Sequence, residues 1–469
     1  MADAAQHFDL IVIGSGAGAA SCWTTAARLG KRVAVFESDR LGGECPTVAC
    51  MPTKALLHCA EVYETVVGGD RFGVHAGAVS VDYARARTWK DQVVSRTEAA
   101  RGEEPYRELG VAVVRGRARF ISPSRAEANG RVYSAEHFLV ATGAVQVRPD
   151  IPGLDEVGYI TSREAIDLTA LPGSALVLGG GPVGCEFAHL WSAFGTRLVM
   201  ADRNARLVHR EDPEVGEFLA GHFRRRGVDV RLETSVVRIE RTSHGKRVVL
   251  NGGEPVVVDE VLVATGKAPS TDLGLDAAGV RFDRRGIAVD ETLRTTNPRI
   301  YAAGDVVGPY RFTHAAAYQG RVACDNMFGA PRRVDYRAMP RCVFTSPEVG
   351  TIGLTEAEAR AQGADVRVGR AGIASADRAV TTGRTDGFVK VIADGRGRLL
   401  GGAVIADRAG EVAQELGLAV SLGATASQVA AAIHAFPTYA DALVSACHAL
   451  DNGLEGAEKN GLDRRPSHG

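Results

Sequence analysis

The sequence predicts an α/β protein: two Rossmann-like units in succession, followed by an α+β domain. Three observations carry this reading. A strand–glycine turn–helix–strand plan occurs twice in the same register. An apolar run after each plan ends in the same Thr-Gly pair. From about Met339 the pattern changes to strand-like alternation, then to helices rich in Ala, Leu and Val. A chain of 469 residues also exceeds one ordinary core, so two or three domains are expected.

The first plan opens with residues 8–13, Phe-Asp-Leu-Ile-Val-Ile, an apolar run that reads as a buried strand. Gly14-Ser-Gly16-Ala-Gly18-Ala19 follows, then a small-residue helical run and the strand Arg32-Val-Ala-Val-Phe36, ending at Glu37. Residues 175–178, Ala-Leu-Val-Leu, repeat the plan. They lead into Gly179-Gly-Gly181-Pro-Val-Gly184, a helical run Cys185–Phe194, and the strand Arg197-Leu-Val-Met-Ala201, ending at Asp202. Glu37 stands 23 residues past Gly14 and Asp202 stands 23 past Gly179 (37 − 14 and 202 − 179). One Gly-x-Gly-x-x-Gly is a weak signal; two, each after a strand and each with an acid at the right distance, are a strong one.

At each place the first glycine permits a tight turn and the second lets backbone approach a pyrophosphate. The third, small residue (Ala19 or Gly184) lets helix and strand pack closely, and the helix N-terminus faces the phosphates. Glu37 and Asp202 would accept hydrogen bonds from ribose hydroxyls. Two dinucleotides are therefore expected, and two different ones suit electron transfer. Asp202 disfavours a 2′-phosphate, whereas Arg203 and Arg206 could hold one, so the choice between NADH and NADPH stays open with a lean to NADH.

Phe138-Leu-Val-Ala-Thr142-Gly143 and Val261-Leu-Val-Ala-Thr265-Gly266 read as strands turning beneath a cofactor, and Ile300-Tyr-Ala-Ala-Gly304-Asp305 as a further strand ending in Gly-Asp. The last part offers strand-like runs at 387–393 and 399–405, then helices over 409–422 and 440–450. A formal charge of −1 gives no general attraction to nucleic acid or acidic membranes. With no leader-like N-terminus and no membrane-spanning run, a cytoplasmic protein is expected. There, eight cysteines read as thiols or catalytic groups and not as a disulfide framework.

Two of the eight stand together, in Leu41-Gly-Gly-Glu-Cys45-Pro-Thr-Val-Ala-Cys50-Met-Pro-Thr-Lys54. A regular helix would set Cα atoms five residues apart at ~8.6 Å, beyond the roughly 7 Å limit for a disulfide. The pair can bond only if the first turn is distorted, which Pro46 and Pro52 favour. A distorted, accessible disulfide at a helix start is easily reduced, and the helix dipole stabilises its thiolates. Half a zinc site is the alternative, but no second Cys or His cluster lies nearby in sequence, so no resident metal is expected.

This segment resembles the active-site motif of the flavoprotein disulfide reductases, the group of lipoamide dehydrogenase, glutathione reductase and mercuric reductase. The likeness covers nearly the whole chain and ends with Phe344-Thr-Ser-Pro-Glu-Val-Gly350 at the opening of the last domain. It implies two Rossmann-like dinucleotide-binding domains plus a C-terminal α+β dimerisation domain. Residues 1–150 and 271–338 would form the FAD-binding domain, 151–270 the NAD(P)H-binding domain and 339–469 the interface of a homodimer. By the same resemblance Gly14, Gly16 and Glu37 hold the adenosine half of FAD, with Thr142 and Gly143 at the strand turn, and Gly304 and Asp305 at the ribityl and pyrophosphate region. Gly179, Gly181 and Gly184 bind the nicotinamide dinucleotide. Lys54 and Glu186 form the ion pair beside the flavin, Cys50 touches the flavin, and Cys45 exchanges with a small-molecule electron acceptor.

One departure matters. Family members acting on disulfides carry His-Pro-Thr-x-x-Glu near the C-terminus, where the His is the acid–base for the exchange thiol. This chain has His434-Ala-Phe436-Pro437-Thr438-Tyr439-Ala-Asp441, with Phe436 in the place of that His. His434 is the better substitute, ahead of Tyr439. Mercuric reductases also lack the His, but they add a C-terminal Cys-Cys pair, and no cysteine follows Cys447 here. A disulfide, a metal ion or a quinone is therefore left as acceptor. The alternative is a dihydrolipoamide dehydrogenase-type subunit of a larger dehydrogenase complex.

Overall fold

The computed structural model describes residues 6–451. Strand Gln6–Ile13 lies inside a seven-stranded sheet, flanked in parallel by Val33–Glu37 and Arg131–Val140. Successive side chains point to opposite faces of a strand, and here each face has its own core. Leu10 and Val12 pack with Ala19, Cys22, Trp23 and Val322 of two helices, Ala17–Arg28 and Thr313–Phe328. Ile11 and Ile13 pack with Phe36, Phe120, Leu273 and Ile287. Burial on both faces is why this run is apolar without alternation. The chain returns to the same sheet at Ile300–Ala302, parallel to Arg131–Val140, and this places Gly304 and Asp305 next to the first glycine turn.

A second sheet runs in the order Asp229–Arg231, Arg197–Ala201, Ser174–Leu178, Glu260–Val263, Ile160–Thr161, all parallel. A three-stranded antiparallel meander over 236–258 packs beside it. From Pro340 an antiparallel five-stranded sheet forms, ordered Pro340–Val343, Glu348–Gly353, Leu399–Ala406, Phe388–Ala393, Arg367–Gly372. Helices Ala409–Leu422 and Ala440–Asp451 pack on that sheet.

Helix Cys50–Val67 joins the three regions. Its Leu56, Leu57 and Ala60 share a core with Phe187, Leu190 and Trp191 of helix Pro182–Ala193, and with Val343 and Ile405 of the C-terminal sheet. Trp191 and Phe187 are fully buried. Truncating either to Ala would cost about 3–5 kcal/mol and loosen the seat of the cysteine helix. Lys390, 1% exposed, pins the C-terminal sheet to the second unit through Asp212 and Glu214, each at 3.1 Å, and pairs with Glu356 of its own region at 2.8 Å. Removing it would leave the buried Asp212 carboxylate without a counter-charge, while Glu214 keeps Arg370 and Glu356 keeps Arg360.

Candidate active site

The two glycine turns are built alike. Gly14 (φ 102°) and Gly179 (φ 113°) adopt a conformation that L side chains avoid. A Cβ on Gly14 would lie 2.3 Å from the Ala141 carbonyl oxygen, and one on Gly179 2.5 Å from that of Ala264. Each turn is thus wedged against the residue before a Thr-Gly pair. A Cβ on Gly184 would lie 1.9 Å from the Gly179 oxygen, which sets the close helix–strand approach. Ala19 is fully buried in the corresponding place.

Gly16 and Gly181, by contrast, face open space: the nearest atom to a Cβ on Gly16 is Gly43 Cα at 3.9 Å, and nothing lies within 4 Å of one on Gly181. Both border a cavity of 2260 Å³, well above the roughly 300–1,000 Å³ of a single small-molecule pocket. Glu37, Thr142, Gly143, Gly304 and Asp305 of the first unit line it, as do Asp202 and Arg203 of the second. Backbone cradles open to a cavity of this size fit two dinucleotides.

The acids are pre-set. Glu37 accepts from the Ser15 hydroxyl at 2.5 Å and from the Asp39 amide at 2.8 Å. Asp202 accepts from the Gly180 amide at 2.5 Å and from the Asn204 amide and side chain, each at 2.7 Å. Burial raises the Asp305 carboxyl, against the pull of Lys267 and Arg311. Thr142 donates to the Ser270 carbonyl at 2.7 Å, and Gly304 N–H to the buried Gln319 side chain at 2.7 Å.

Cys45 lies in a short helix, Glu44–Thr47, and Cys50 begins the next, with Val48 (φ −136°) and Ala49 (φ −132°) breaking the helical path between them. The break brings the two thiols into hydrogen-bonding contact. Cys50 also meets the Thr313 hydroxyl at 3.6 Å. Hydrogen bonds from Cys45 and Thr313, with the charge of Lys54, bring the Cys50 thiol down to about 6 against its burial. The hydrogen bond to Cys50 and burial push Cys45 up. The proton shared by the pair therefore leaves from Cys50. Alkylation of Cys50 by iodoacetamide in the reduced protein should reach half its maximal rate near pH 6, with Cys45 reacting only at much higher pH. Thr313→Val should move the Cys50 midpoint upward, and an unchanged midpoint would remove Thr313 from this role.

Lys54 donates to Glu186 at 2.7 Å, and Glu186 is 5% exposed. The amide of Phe344 also donates to Glu186, at 3.1 Å, and the Lys54 ammonium sits 4.7 Å over the Phe344 ring. Thr313 and Phe344 are site residues that the sequence reading had not singled out. The only cue for Thr313 was its place shortly after Gly304-Asp305, at a helix start. Phe344 had been noted only as opening the last domain.

His434 is held between two acceptors. Its Nε2 lies 2.6 Å from the Glu415 carboxylate and its Nδ1 2.9 Å from the Ala432 carbonyl. A carbonyl and a carboxylate only accept, so the ring donates from both nitrogens, which requires the protonated form. Glu415 accordingly raises its pKa. A ring so held has no free nitrogen to take a proton. Tyr439 is buried, with its hydroxyl on Thr382 at 2.9 Å. The Phe436–Pro437 peptide is cis, and Phe436 is 73% exposed. Arg206 does not reach the cavity; its Cβ packs at Gly216.

Two backbone cradles and a thiol pair beside an ion pair define a redox enzyme that carries electrons between dinucleotides and sulfur. The chain belongs to the pyridine nucleotide-disulphide oxidoreductase family: the family model matches residues 8–320, and its dimerisation domain matches 339–447. It is 37% identical over 456 residues to a mercuric reductase of Streptomyces lividans, covering 94% of this chain and 96% of the relative. It is 36% identical over 455 residues to a dihydrolipoyl dehydrogenase of Thermus scotoductus, covering 95% and 98%. The structure matches the HOCl-induced flavoprotein disulfide reductase RclA of Escherichia coli with a TM-score of 0.85 at 29% identity, covering 94% of this chain and 99% of the other. The protein is thus an FAD- and NAD(P)H-dependent oxidoreductase. Among the described residues, no helix is long and apolar enough to cross a membrane.

Proposed function

We propose that this enzyme passes electrons from NADH, through FAD, to Cys50 and Cys45, and from there to a thiophilic metal ion in preference to a disulfide. The observation that carries the preference is at the C-terminal segment: Phe436 stands where the disulfide-reducing relatives carry their His, and His434, two residues before it, has both ring nitrogens engaged by Glu415 and Ala432. Thiol–disulfide exchange needs a proton carrier for the leaving thiol. A soft ion displaces the remaining thiol proton to solvent as it binds, and leaves no departing thiol to be protonated. The similarity to a mercuric reductase supports this reading, as does the structural likeness to RclA, which is known as a Cu(II) complex.

When bound, FAD and the nicotinamide supply hydride transfer. The chain's own groups do the rest. Cys50 holds negative charge, supported by Thr313 and Lys54, and Glu186 fixes Lys54 in place. Cys45 is the sulfur left for the acceptor. Asp202, already held by three donors, offers its remaining lone pairs to ribose hydroxyls and repels a 2′-phosphate, while Arg203 alone of the two arginines borders the cavity. Ile433 and Phe436, both strongly exposed, fall in the segment matched by the dimerisation domain, and a homodimer would bury them.

The test compares NADH oxidation driven by mercuric ion, by cupric ion and by oxidised lipoamide. Turnover with at least one of the ions should exceed that with lipoamide, and kcat/KM should be higher for NADH than for NADPH. Faster turnover of lipoamide would favour a dihydrolipoamide dehydrogenase-type subunit instead, and a strong NADPH preference would show that Arg203 prevails over Asp202.

A further inference from the structure

We propose that Cys22 and Cys324 form a second dithiol–disulfide couple, buried beneath the first glycine turn and independent of Cys45 and Cys50. The geometry starts from the crossing of helices Ala17–Arg28 and Thr313–Phe328. A Cβ on Gly320 would lie 2.0 Å from the Gly18 carbonyl oxygen and 3.1 Å from Gly18 Cα, so the two backbones touch there with no side chain between them. Cys22 is four residues past Gly18, and Cys324 four past Gly320. An i, i+4 step returns to the same helix face one turn further on, so both sulfurs sit on the touching faces, just beyond the contact. Cα atoms about 4.4–6.8 Å apart suit a disulfide, and helices in backbone contact approach more closely than helices held apart by side chains.

The side chains agree with the backbone. Cys22 is fully buried and Cys324 is 1% exposed, and both belong to the core that holds Trp23, Val322 and Ala323. The two sit in one core cluster, and their interaction across the crossing lowers the pKa of Cys324 and raises that of Cys22. Two small core residues in van der Waals contact are the simpler description of such a pair. A simple packing role, though, needs neither sulfur, and it does not call for one on each of the two faces that meet at Gly18 and Gly320.

The oxidant is a peroxide. The Cys324 thiolate attacks one peroxide oxygen, the O–O bond breaks, and hydroxide leaves as Cys324 becomes a sulfenic acid. The Cys22 sulfur then attacks the sulfenic sulfur, and the S–O bond breaks as the S–S bond forms. In sum, two thiols and one hydrogen peroxide give one disulfide and two waters; the thiols lose two electrons and the peroxide gains them. Hydrogen peroxide is close to water in size and reaches the pair through local opening. The product staples the helix that starts at the pyrophosphate turn to the helix whose Thr313 touches Cys50, closing a long loop.

Peptide mapping tests this on the wild-type holoenzyme. The protein is treated with excess hydrogen peroxide, denatured in iodoacetamide and digested with trypsin without reductant. Cys45 and Cys50 share one peptide ending at Lys54, whereas a Cys22–Cys324 bond joins the peptide ending at Arg28 to the one from Val322 to Arg332. The expected result is that joined peptide, lost on treatment with dithiothreitol, together with a rise in unfolding temperature that the same treatment reverses. Cys22→Ala should abolish both signals. Recovery of Cys22 and Cys324 only as alkylated thiols, or as separately over-oxidised acids, would overturn the proposal.

Discussion

Gly16→Val should give a folded protein that retains essentially no flavin. The two glycines of the first turn differ in what limits them. A side chain at Gly14 would strike the Ala141 carbonyl at 2.3 Å, in a backbone conformation with φ 102°. Substitution there attacks the fold itself. At Gly16 the nearest protein atom to a new Cβ is 3.9 Å away, so the valine side chain enters the cavity where a pyrophosphate would lie. Absorbance at the flavin band and the unfolding temperature separate the two effects. Gly16→Val should be colourless with near-normal unfolding, and Gly14→Val should be poorly folded. Gly181→Val, with nothing within 4 Å of its Cβ, should stay yellow yet resist reduction by the nicotinamide. A Gly16→Val protein as yellow as the wild type would overturn the assignment of this turn to FAD.

The glycine turns were legible because the demand is local. Positive φ, a close approach to the next strand and an acid at the end of the second strand are all written within a few dozen residues, and the structure repeats them at Gly14 and Gly179. The break between Cys45 and Cys50 was legible for a similar reason, since a disulfide across five residues is incompatible with a straight helix. Thr313 was not. A threonine opening a helix is common, and only the return of the chain to the first sheet at Ile300–Ala302 carries it to Cys50. Phe344 reaches Lys54 through packing between domains, which no local pattern encodes. The antiparallel strands within 119–128 and 236–258 are short, charged and partly exposed, so they lack the long apolar period that marked the parallel strands. Arg203 and Arg206 are three residues apart in a loop, and sequence alone does not say which of them turns toward the cavity.

Phe436→His should raise turnover of oxidised lipoamide by up to roughly 10²–10⁴-fold, the usual contribution of a placed acid–base group. The wild-type segment has no group to do this work. The His434 ring spends both nitrogens on acceptors, and freeing one would break its bond to the Glu415 carboxylate at 2.6 Å. The Tyr439 hydroxyl is buried against Thr382. Within the subunit the side chain at position 436 belongs to no core, so an imidazole there leaves the fold of the chain intact. Its orientation is less well provided for: Asp441 accepts from the Thr438 amide at 3.2 Å, and its side chain is one methylene shorter than the glutamate of the disulfide-reducing relatives. Phe436→His with Asp441→Glu should therefore exceed Phe436→His alone. The first half-reaction, in which NADH reduces the enzyme's own disulfide, should be fast in every variant, because it depends on Cys50, Thr313 and Lys54 and not on residue 436. Stopped-flow reduction and steady-state turnover together isolate the step that changes. If wild-type lipoamide turnover already matches the first half-reaction, a proton carrier operates without position 436, and Phe436 shapes the acceptor's approach instead of marking a lost exchange activity.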